Sequence, residues 1–144
     1  MNYLTTDLVF ASNSKTAIHF LNDVSRYSFG IQPVRRIRGK NRYTLAALGR
    51  AYLVGALQQQ CVPTSSIPEL FSRIHWEAFD LAVDQLEVGA IDHLYVVFLS
   101  FEPDEDFTGV VTNPSDLPLI GEDLGHFTAI GLHDFLKLKL EGFV

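Results

Sequence analysis

Eight of the eleven basic side chains, Lys15, Arg26, Arg35, Arg36, Arg38, Lys40, Arg42 and Arg50, fall between Phe10 and Gln60, where Asp23 is the one acid. That segment carries a formal +7 in a chain of net charge −6, which leaves −13 for everything else. Five of the cations crowd into eight residues, 35–42, around Gly39. Concentrated guanidinium with almost no counter-charge is costly to hold together unless a polyanion neutralises it, so the pattern points to nucleic acid as a partner.

Other chemistries find less support in the spacing. Cys61 is the single cysteine, which excludes an intramolecular disulfide and a thiolate-rich zinc site and reads as packing. His75, His93, His126 and His133 show no metal-ligand spacing. Asp104, Glu105 and Asp106 cluster carboxylates, but without the downstream Gly and Glu of a calcium loop they read as a solvated hairpin turn. There is no nucleophile elbow and no glycine-rich phosphate loop, so no catalytic group, cofactor or metal is expected and the chain reads as a non-enzyme. Its start has neither a basic run nor a long apolar stretch, and no segment approaches a bilayer span, which gives the expectation of a cytoplasmic protein with no membrane contact.

The elements that must carry the cations can be read from periodicity. A short helix over Thr5 to Ala11 is followed by the turn Ser12-Asn13-Ser14. A second helix then starts at Lys15 with Ser14 as cap and Ala17, Ile18, Leu21 and Val24 as its apolar stripe. Two short helices joined by a tight polar turn outline a helix-turn-helix. Val34–Arg38 and Arg42-Tyr43 form a hairpin turning at Gly39-Lys40-Asn41, a ribbon whose outward positions are mostly cationic. Thr44 caps a helix to about Gln60, in which Gly49 either weakens the helix or admits a neighbour. Ser66 and Glu69 then form a capping box for one long helix reaching about Leu86. Its row Trp76, Phe79 and Val83 lies beside the core face and is expected to be a dimer contact.

Composition changes near Gly89. Leu94–Leu99 and Phe107–Thr112 read as a hairpin around Glu102–Asp106, and Asn113–Asp116 opens a turn or a short helix. Phe127–Leu132 reads as a third strand and His133–Leu140 as a terminal helix. Tyr95, Phe98, Phe101, Phe107 and Phe127 could form core or line a small ligand pocket. The expected class is α+β, with residues 1–88 a DNA-binding domain including a long helix, and residues 89–144 an acidic segment for dimerisation, partner or ligand contact.

With these elements placed, Gly30-Ile31-Gln32-Pro33-Val34-Arg35-Arg36 followed by Arg42-Tyr43-Thr44-Leu45 resembles the wing and following helix of the MerR family of bacterial transcription regulators. The likeness runs on through Leu53-Val54-Gly55-Ala56-Leu57 to Val62–Phe71 and covers about half the chain. It implies a winged helix-turn-helix, a homodimer and a two-fold-related site on double-stranded DNA. By position it puts Lys15, Thr16 and His19 on the recognition helix, and Arg35, Arg36, Arg38, Lys40, Arg42 and Tyr43 in a wing near phosphates. Arg26 joins them as a DNA-binding cation. The spacing between Ile18 and Gly30 is longer than in that family, its Arg-Tyr-Tyr run is replaced by His19-Phe20, and its long C-terminal dimerisation helix is missing. The expectation is a DNA-binding transcription regulator. The rival is an acidic protein-interaction module, an adaptor or inhibitor, that binds a protein partner through its C-terminal segment and no DNA.

Overall fold

The computed structural model describes residues 3–101 and 108–142, so the acidic turn 102–106 and Phe107 lie outside the described residues. The chain is mixed α+β, as expected, and divides into two compact units, Met1–Phe71 and Ser72–Val144. Formal charge divides with them: the first unit holds eight cations and three acids, net +5, and the second three cations and fourteen acids, net −11.

The first unit begins with a two-residue strand, β1 (Tyr3–Leu4), which leads directly into α1 (Thr5–Ala11). The Asp7 carboxylate accepts the Leu4 backbone N–H at 2.9 Å and so closes the first turn. Next come α2 (Ala17–Arg26), β2 (Arg35–Ile37), β3 (Lys40–Tyr43) and α3 (Leu45–Gln59). A 3-10 turn (Thr64–Ser66) leads into α4 (Ile67–Ser72). The sheet order is β1-β3-β2, all antiparallel, so β3 is paired on both edges. β1 was not anticipated from the sequence, because two residues cannot display a period.

Apolar residues that the sequence leaves outside regular elements plug this unit. Phe29 and Ile31 are buried in the loop after α2, and the Phe29 ring meets Phe71 edge-on at 6.1 Å. Arg50 on α3 donates to the Gly30 carbonyl at 3.2 Å, and Gly30 has φ +69°, where a Cβ would run into that guanidinium. α1 lies against α3 through a glycine contact: a Cβ on Gly55 would sit 2.6 Å from the Ser12 carbonyl oxygen.

Three expectations for the helices are corrected. α2 starts at Ala17, not Lys15, and its cap is Thr16, whose Oγ1 accepts the His19 N–H at 3.0 Å. The Ser14 hydroxyl is instead bonded to the Ser12 hydroxyl at 2.7 Å. The proposed stripe also faces the wrong way. Phe20 is the buried residue of α2, whereas Ile18 is 73% exposed and Leu21 43%.

The long helix to Leu86 is two helices, α4 and then α5 (Trp76–Glu87), separated at Arg73-Ile74-His75. His75 caps α5, its Nδ1 accepting the Ala78 N–H at 3.2 Å. Within α5, Phe79 (0% exposed) and Val83 (1%) are buried, and half-buried Trp76 packs edge-on against Phe79 at 5.1 Å. The expected dimer row Trp76, Phe79 and Val83 is thus intramolecular packing.

In the second unit β4 (Tyr95–Phe98) is the central strand, flanked by β5 (Thr108–Val111) and β6 (Thr128–Gly131) in the antiparallel order β5-β4-β6. α6 (Asp116–Leu124) follows an Asx turn in which the Asn113 side chain accepts from the Ser115 N–H at 3.1 Å and bonds its hydroxyl at 2.8 Å. α7 (His133–Leu140) packs on α5. No helix of the described residues is long and apolar enough to cross a membrane.

Candidate nucleic-acid interface

The arginine ribbon is built on a two-residue turn. Register pairs Arg35 with Arg42, Arg36 with Asn41 and Ile37 with Lys40, so the chain reverses at Arg38-Gly39 rather than at Gly39-Lys40-Asn41. Both turn residues have positive φ, +53° and +76°, the geometry that matches the right-handed twist of the flanking strands. Gly39 adopts it at no steric cost, whereas Arg38 is a left-handed residue carrying a Cβ.

Directly paired residues of an antiparallel ladder share a face. One face therefore carries Arg35, Ile37, Lys40 and Arg42, and the other carries Arg36 and Asn41 followed by Tyr3 opposite Tyr43. Arg35 facing Arg42 sets two like charges side by side, an arrangement that disfavours the isolated hairpin. The sheet tolerates it because its base is anchored by two buried tyrosines, Tyr3 (6% exposed) and Tyr43 (3%).

Of the residues singled out from sequence, Lys15, Arg26, Arg35, Arg36, Arg38 and Lys40 are exposed. Arg36, Arg38 and Lys40 form no ion pair among the described residues. Arg42 is half-buried, with its Nε sealed from solvent and lacking a hydrogen-bond partner. Tyr43 is corrected: a core side chain at the sheet's base has no access to a phosphate. Thr16 spends its hydroxyl on the α2 cap. His19 is exposed on the first turn of α2, its Nε2 3.4 Å from the Asp23 carboxylate. Arg26, at the other end of α2, lies 5.4 Å over the Tyr27 ring, which stacks on Phe29 at 5.9 Å. That contact fixes where the guanidinium projects.

The second unit gathers rings that the sequence left apart. His93 stacks parallel to Tyr95 at 6.4 Å, and His133 meets both, at 4.9 Å and 5.1 Å. The Leu94 N–H points at His133 Nδ1 at 3.3 Å, and Lys137 pairs with Asp92 at 3.5 Å. The signal was the i, i+2 spacing of His93 and Tyr95 in an extended run, with His133 arriving from a distant helix start. Among the described residues no group of three His, Cys, Asp or Glu could hold a metal ion. Of the aromatic residues suggested as a pocket, Tyr95 belongs to the histidine cluster, and Phe98 is buried and packs on Phe101 at 5.7 Å.

No family model, curated protein or solved structure matches this chain.

Proposed function

We propose that the first unit binds double-stranded DNA, the hairpin lying along a phosphate backbone and the first turn of α2 turned toward a groove. In this reading the chain is a transcription regulator of winged helix-turn-helix kind, acting as a homodimer on a two-fold-related site. Two α2 helices one duplex turn apart, ~34 Å, would then enter successive grooves. The observation that carries the reading is the exposure of Arg36, Arg38 and Lys40 on a two-stranded ribbon where, among the described residues, they form no ion pair. Phosphate contacts position a protein without reading sequence, which suits a hairpin of guanidinium groups. The exposure of Lys15 and His19 at the start of α2 leaves polar groups there for base edges or phosphates.

The test is a salt-titrated binding isotherm of the full chain on duplex DNA. Log affinity should fall linearly with log salt, and Arg36→Ala or Arg38→Ala should each flatten the slope by about one while weakening all sequences alike. A flat wild-type titration removes DNA as the partner.

A further inference from the structure

A groove of about 400 Å³ opens in the first unit between the start of α1, the exposed flank of α2 and the tip of the hairpin. Its volume lies at the lower end of the range of small-ligand sites, roughly 300–1,000 Å³. Arg36 supplies a cation and Asn41 an amide from one face of the hairpin, Thr5 and Thr6 supply hydroxyls, and Leu21 with Leu4 an apolar wall. No lining residue is acidic, and the nearby Asp7 carboxylate is turned to the Leu4 backbone N–H. Leu21 is 43% exposed on the side of α2 that does not enter the core, so an apolar surface stands beside an Arg36 guanidinium that no carboxylate among the described residues pairs with.

We propose that this groove binds a small organic phosphate, its anionic head against Arg36 and Asn41 and its apolar body against Leu21. The planar guanidinium fork favours a phosphate over a neutral ligand, and the amide and hydroxyls can satisfy the oxygens that it leaves. The leucine wall selects an ester with a ring or sugar over the bare ion. Arg36 is also a cation assigned above to the DNA backbone. Where that reading holds, the ligand and DNA compete, and the groove makes DNA binding sensitive to a metabolite. The ligand site itself does not depend on it.

The experiment titrates the full chain, free of DNA, with phenyl phosphate and separately with inorganic phosphate, following backbone amide shifts by NMR. Saturable shifts are expected at Thr6, Leu21, Gly39 and Asn41, with phenyl phosphate binding several-fold more tightly than inorganic phosphate. Arg36→Gln should weaken both about tenfold through loss of one charge-assisted hydrogen bond. Leu21→Ala should remove only the preference for the ester, and because that side chain lies outside the core the variant should fold. Absence of saturable shifts at these residues overturns the proposal, as does an Arg36→Gln protein that binds both anions like the wild type. A DNA competition arm separates the two readings. Ligand binding without DNA affinity leaves the groove standing and removes the regulator, whereas DNA affinity with no phenyl phosphate binding does the reverse.

Discussion

Single backbone positions decide whether the arginine ribbon exists. Arg38 occupies a left-handed conformation that costs a residue with a Cβ about 1–2 kcal/mol, and Asn tolerates it better. Arg38→Asn should therefore keep or raise the melting temperature while, on the proposed DNA-binding role, removing one phosphate contact. A variant that both melts earlier and loses DNA affinity would mean that the guanidinium supports the fold. Gly55 is constrained differently, by space: a Cβ there would meet backbone that has no rotamer to change. Gly55→Ala should cost about 1–3 kcal/mol in chemical denaturation, the range for overpacking a close contact. Phe79→Ala should cost about 3–5 kcal/mol, because that ring is fully buried within one subunit. A loss that depended on protein concentration would restore the ring to a dimer interface.

At the scale of elements, caps separate what periodicity alone confuses. Thr44 caps α3, its hydroxyl accepting the Ala47 N–H at 3.1 Å, and Thr16 caps α2 in the same way. Either Thr→Ala change removes about 1 kcal/mol. The consequences should differ, because α3 is buried along most of its length and α2 through Phe20 alone. Hydrogen exchange should show Thr44→Ala lowering protection throughout the first unit and Thr16→Ala loosening α2 locally; equal, global loss in both would contradict this. Several elements were legible in the sequence: α1, the Thr44 start of α3 and α7 lie where they were expected. The ends of α2 and α4 were not legible, for physical reasons. The Ser12–Ser14 hydroxyl pair takes up the cap that Ser14 would have supplied. Ile74 stays buried through the break between α4 and α5, so the apolar period continues where the helix does not. The cation site was legible in its charges but not in its tyrosine, because Tyr43 pairs with Tyr3 of β1, a strand too short to show a period.

For the molecule as a whole, the division of charge sets two opposing terms on any encounter with a polyanion. The first unit, net +5, gains by releasing counterions at contact, while the second, net −11, repels at long range. These terms differ in their dependence on salt, because the Debye length shrinks to about 8 Å at physiological ionic strength and removes distant repulsion first. Glu77, Asp84 and Glu87 are exposed on α5, far in sequence from the ribbon, and can be neutralised without touching it. The triple change Glu77→Gln, Asp84→Asn and Glu87→Gln should raise the association rate with duplex DNA several-fold at low salt, as expected of steering fields. It should have little effect near physiological salt and leave the dissociation rate unchanged. Stopped-flow association measured across a salt series reads this directly. An acceleration that persisted at high salt, or a change confined to dissociation, would place those carboxylates in contact with the nucleic acid and require a different interface.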